Sequence, residues 1–99
     1  MARRPRKPPA DYLTARGTWP EGPFRADAPP YVPVVAHIAA ALLAALADRG
    51  LSQRALARDT GLTVSTINDL ANGALIPDAA TLATLEQHLG VTLWPSTHS

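Results

Sequence analysis

Ninety-nine residues with 46% apolar side chains are enough for one small domain and an appendage, and too few for two full domains. No cysteine is present, which excludes a disulfide framework and a thiolate metal site and fits a reducing cytoplasm. The net charge of +1 hides a split: residues 1–35 carry six Lys/Arg against three acidic residues, and residues 36–99 carry three Arg against five.

In chain order, residues 1–10 form a basic tail (Arg3, Arg4, Arg6, Lys7) that is proline-rich and poor in apolar groups, so disorder is expected there. Prolines occupy the place where a signal peptide needs its apolar core, which points to a soluble, cytoplasmic protein. Eight of the ten prolines fall at or before Pro33, and the chain divides there. Residues 11–33 hold four of the five aromatics, including Tyr12, Trp19, Phe24 and Tyr31. An ordinary linker does not carry such side chains. The segment is expected to be an irregular arm, too rich in Pro and Gly for regular structure, that docks on the folded body.

A first helix is expected from Pro33 or Val34 to Arg49, with Pro33 suited to its first turn and Gly50 to its end. Val35, Ile38, Ala39, Leu42 and Leu46 make one apolar stripe, but Ala40, Leu43, Ala44 and Ala47 leave the other faces nearly as apolar. A helix apolar all round is normally buried all round, so the arm or a second subunit should cover its outer side. Residues 34–47 carry no formal charge apart from a possible His37, yet fourteen residues are too few to cross a bilayer.

Ser52 is placed to cap a helix from Gln53 to about Thr60, with Leu56 and Ala57 inward. Gly61 supplies a left-handed turn, Leu62 fills the corner, and Thr63 caps the next helix. That helix buries Ile67 and Leu70 and ends at Asn72-Gly73. A last helix spans about Ala79 to Leu89, capped by Asp78, with Leu82, Leu85 and Leu89 inward. Val91, Leu93 and Trp94 should close the core, and residues 96–99 should fray. No repeat and no convincing strand alternation is present. The fold class expected is all-α.

The spacing of Leu51-Ser52-Gln53, Leu56-Ala57, Gly61-Leu62-Thr63, Ile67, Leu70 and Asn72-Gly73 resembles the phage-repressor (Cro-like, XRE) helix-turn-helix family. The likeness continues through Pro77, Leu82, Leu85 and Leu89-Gly90-Val91, and covers residues 36 to 94. It implies a compact four-helix, lambda-repressor-like domain over residues 34–95 that places helix 63–72 in the DNA major groove. By position, the resemblance assigns phosphate and adenine contact to Gln53, and base reading to Val64, Ser65 and Asp69. It puts Thr63 against a thymine methyl and Asn72 on phosphate. Asn68 shares their helix face, and Arg54 is a candidate phosphate contact.

Two departures stand out. The recognition helix has no Lys or Arg, although guanine readout most often uses Arg. Ala71 stands where many relatives carry a Glu that pairs with an arginine of the first helix. Modest affinity per monomer is therefore expected, recovered by dimerisation and by Arg3, Arg4, Arg6 and Lys7 on the DNA.

Catalysis is not expected. His37, His88 and His98 lie apart, with no carboxylate or serine at a spacing that implies a triad or metal set, and no cofactor is expected. The leading expectation is a sequence-specific transcription regulator, a repressor, binding double-stranded DNA as a homodimer on an inverted repeat in the nucleoid. The alternative is a protein-interaction module, an antitoxin or adaptor, using residues 11–33 to hold a protein partner. Neither reading involves a membrane.

Overall fold

The structure, a computed structural model, describes residues 6–95. Arg3 and Arg4 of the basic tail, and residues 96–99, lie outside the described residues.

Four helices make the body: α1 (Tyr31–Arg49), α2 (Gln53–Thr60), α3 (Val64–Ala71) and α4 (Ala79–Leu89). Three of them begin on the side chain that local chemistry favours. Ser52 Oγ accepts from the Ala55 N–H at 3.0 Å, Thr63 Oγ1 from Thr66 at 3.1 Å and Asp78 Oδ1 from Thr81 at 2.7 Å. Each cap occupies one of the N–H groups that a helix start leaves free, a contribution of about 1 kcal/mol. Gly61 takes the left-handed conformation between α2 and α3, with φ of 79°. Thr60 strengthens the same corner: its hydroxyl donates to the Leu56 carbonyl at 2.7 Å and accepts from the Leu62 N–H at 3.3 Å.

One core joins all four helices. Ile38 and Leu42 of α1, Leu56 of α2, Ile67 and Leu70 of α3, and Leu85 and Leu89 of α4 are fully or almost fully buried in it. Full burial of each such side chain contributes about 1.5–3 kcal/mol. Ala57 of α2 joins this core with 8% exposure.

α1 starts at Tyr31, two residues before the earliest start the sequence suggested. Pro33 is its third residue, where a missing N–H costs nothing because the first-turn N–H groups have no intrahelical partner. The resulting 19-residue helix is long and apolar enough, by length and composition, to cross a membrane, unlike the fourteen residues counted in sequence. Seven of its side chains are instead buried inside the protein.

The arm is not irregular, and the fold is not purely all-α. Residues Pro9–Tyr12 form a 3-10 turn, and β1 (Leu13–Thr18) pairs antiparallel with β2 (Gly22–Phe24). The register runs from Leu13 opposite Phe24 to Thr18 opposite Gly22, with an irregularity between. A two-stranded ribbon has only edge strands, so Pro23 can sit in one without breaking a central ladder. Gly17 lets the strands close: a Cβ there would lie 2.7 Å from the Pro23 carbonyl oxygen. Alternation failed as a signal because the pairing depends on that close approach and on the bulge.

The disorder expected for residues 1–10 does not hold for the described part that reaches the body. Pro9 is fully buried, and the Ala10 N–H donates to the Gly73 carbonyl at 3.0 Å. The Tyr31 hydroxyl donates to the Lys7 carbonyl at 2.8 Å, and the Tyr12 and Tyr31 rings meet edge to face at 6.4 Å. Burial and the neighbouring Tyr12 push the Tyr31 phenol above its ordinary value. The 3-10 turn packs along α1, so part of the outer face of that helix is covered by the arm. Ala40, Ala44 and Ala47 remain exposed.

After α4 the chain closes the core with Leu93 alone. Val91 keeps 38% exposure and Trp94 52%, against the expectation that both are core. The reason is Glu86, whose Oε2 accepts from the N–H groups of Leu93 at 2.7 Å and Trp94 at 3.0 Å. That clamp turns Leu93 inward and sends the indole out. The same two N–H groups, Trp94 first, hold the Glu86 carboxyl below its ordinary value, as the Thr81 N–H and hydroxyl do for Asp78.

Candidate nucleic-acid interface

α3 presents one stripe to the core and another to solvent. Ile67, Leu70 and Ala71 are buried. Thr63, Val64, Ser65, Asn68 and Asn72 are exposed, and Asp69 is half-buried. Residues four apart stack on the same side of a helix, so Val64, Asn68 and Asn72 form one row and Ser65 and Asp69 the next. Val64 is a large apolar side chain with 42% of its surface in water, at the first position of the helix.

The polar groups of this row are uncommitted. Among the described residues, the side chains of Ser65, Asn68, Asp69 and Asn72 make no hydrogen bond within the protein, and neither do those of Gln53 and Arg54. Thr63 is different. Its hydroxyl caps α3 and donates to Thr66 Oγ1 at 2.9 Å, leaving its methyl group as the part free to meet another surface.

Gln53 opens α2 and is half-buried, with Arg54 exposed beside it. The two helices pack directly on each other across the Gly61 turn. Arg58, one turn further on, has its Nε 3.5 Å from Asp59 Oδ1. Asp59 also faces His88 Nε2 at 3.8 Å, on a shallow groove between α2 and α4.

The missing Glu at position 71 has a structural counterpart. Ala71 is buried at 4% exposure, and Arg49 at the end of α1 donates instead to the Leu89 carbonyl at the end of α4. A cation at a helix C-terminus is favourable, so this contact ties the first and last helices together.

The arm meets the end of α3. Gly73 has φ of +73°, and a Cβ there would lie 2.6 Å from the Trp19 ring and 2.9 Å from the Ala10 Cβ. Trp19 packs on the core with its indole N–H buried and without a partner among the described residues, and its ring meets Phe24 at 5.9 Å. This contact between hairpin and recognition helix had no sequence signal beyond the aromatic content of the segment. Arg6 and Lys7 are exposed, and Lys7 Nζ stands 5.9 Å from the centre of the Tyr12 ring. Among the described residues, no group of three or more His, Asp or Glu side chains is placed to hold a metal.

An exposed polar row on a short second helix, held by a glycine corner against the helix before it, defines a helix-turn-helix unit. The family model described as helix-turn-helix (HTH_3) matches residues 42–93, more than half of the chain. The chain belongs to this Cro/C1-type (XRE) helix-turn-helix family, whose domain is a DNA-binding unit of transcription regulation. No curated protein matches the sequence.

Proposed function

We propose that this chain is a sequence-specific repressor that binds an inverted-repeat site as a homodimer in the cytoplasm. Its two copies of α3 enter successive major grooves about 34 Å apart. The observation that carries the reading is the outer row of α3, where an exposed Val64 stands among unbonded Ser65, Asn68, Asp69 and Asn72. A large apolar side chain exposed on a capped, well-buried helix is suited to a thymine methyl, and Asp69 to a cytosine amino group. Each good base contact is worth about 1–3 kcal/mol of discrimination. The chain's role is binding, with no reaction to catalyse.

Selection of duplexes from a random pool, at about 50 and 200 mM salt, tests this reading. A palindromic motif is the expected result. Gln53→Ala and Ser65→Ala should then weaken binding to the selected site while the helical circular dichroism stays the same. Unchanged affinity in both variants would remove the assignment. Deleting residues 2–6 should lower affinity for every sequence and flatten the salt dependence by about 0.9 per lost phosphate contact.

A protein-interaction module is the competing reading, motivated by the acidic body and the arm of residues 11–33. The docked Trp19 counts against an arm held open for a partner.

A further inference from the structure

Four cations lie on the part of the arm that the structure describes: Arg6, Lys7, Arg16 and Arg25. Arg25 is neutralised locally, its Nη2 2.8 Å from Asp27 Oδ2. Arg16 is exposed in β1 and, among the described residues, has no carboxylate within ion-pair distance. The strand that carries it is anchored at both ends. At one end the residues just before it dock on the body: the Ala10 N–H donates to the Gly73 carbonyl at 3.0 Å, and the Tyr12 ring meets Tyr31 of α1 edge to face at 6.4 Å. At the other end Trp19 lies against Gly73, the second residue past the end of the recognition helix.

These anchors convert a sequence position into a place. Arg16 precedes Trp19 by three residues, about 10 Å of strand. That is less than the roughly 12 Å width of the major groove. The recognition helix contributes no cation of its own and carries the carboxylate of Asp69. A duplex seated on α3 therefore meets little positive charge from α3 itself, and most of non-specific affinity comes from phosphate neutralisation.

We infer that the β1–β2 hairpin is a fixed second DNA-contact element, and that Arg16 binds a backbone phosphate beside the groove that α3 enters. The inference rests on the DNA-binding reading above and adds to it a residue that the family match, which begins at residue 42, does not reach. Trp19 and Gly73 act through position: they hold the hairpin at the end of the helix. A phosphate contact carries no sequence information, so Arg16 sets affinity and salt dependence and leaves base preference alone.

The test compares wild type, Arg16→Gln, Arg16→Lys, Arg25→Gln and Ser65→Ala on one selected duplex and one scrambled duplex, across about 50 to 200 mM salt. Arg16→Gln should weaken binding to both duplexes equally and lower the salt slope by about 0.9, roughly a 3- to 4-fold smaller loss over that range. Arg16→Lys should restore the slope, and Arg25→Gln should change it less than Arg16→Gln does. An unchanged slope in Arg16→Gln, or an equal change in Arg25→Gln, overturns the inference. If Ser65→Ala still loses affinity for the selected duplex, the DNA-binding reading survives that failure. Absence of duplex binding by wild type overturns both.

Discussion

The helical body and the N-terminal arm are held by opposite means. In the body, the turn that starts or ends a helix is decided by a residue a few positions away: Ser52 to Ala55, Thr63 to Thr66, Asp78 to Thr81. In the arm, the deciding contacts join residues far apart in sequence, Ala10 and Trp19 to Gly73 and Lys7 to Tyr31. Local chemistry can be read along a chain. Contacts between distant residues need the shape of both partners first.

The comparison can be broken most strongly at the core. Leu56→Ala should cost about 2–5 kcal/mol and lower the thermal midpoint by tens of degrees or prevent folding, because Leu56 is fully buried where the helices converge. A loss near 0.5 kcal/mol in urea titration would show that the helix-turn-helix unit is not the stable part of the molecule.

Two glycines sharpen the contrast. Gly61 and Gly73 both have positive φ, but a Cβ at Gly61 meets nothing within 4 Å, whereas one at Gly73 collides with Trp19. Gly61→Ala should cost about 1–2 kcal/mol for its backbone conformation. Gly73→Ala should cost a further 1–3 kcal/mol from overpacking. Equal losses in denaturant titration would mean that the arm does not press on the end of α3. In a Trp94→Phe background, Gly73→Ala should also shift Trp19 emission to the red as the ring is displaced.

Ser52→Ala should cost about 1 kcal/mol through the lost cap on α2. Glu86→Gln tests the clamp on the C-terminal segment through pH. The Glu86 and Asp78 carboxyls both lie below their ordinary values in the folded protein. Their contribution is therefore complete above the unfolded carboxylate range of about 4, and is lost as pH falls through the lower folded values. Thermal midpoints should fall below about pH 4, and less steeply in Glu86→Gln. An identical acid limb in wild type and variant would remove Glu86 from that role. The smallest effect belongs to Trp94→Ala: half-exposed, this side chain should contribute within about 0.5 kcal/mol.

The sequence makes the helix-turn-helix unit legible because its determinants are short-range and repeat the helical period. Ser52, Gly61, Thr63 and Asp78 occupy their cap and turn positions, and the buried faces of α2, α3 and α4 follow the apolar spacing. The outer row of α3 follows by subtraction, since what does not face the core at that period faces away. Trp94 shows the limit of the method. Hydrophobicity sends it inward, and the Glu86 carboxylate, seven and eight residues back from the amides it binds, turns it out.

By itself, then, the sequence determined the existence of the four helices, the caps of α2, α3 and α4, the family and the face that α3 turns to solvent. Only the tertiary structure decided the hairpin, the burial of Pro9 and the seating of Trp19 on Gly73. The physical reason is range. Caps and amphipathic stripes draw their energy from neighbours within a turn or two. A two-stranded ribbon with no helix of its own becomes stable only against a surface that the rest of the chain has already built.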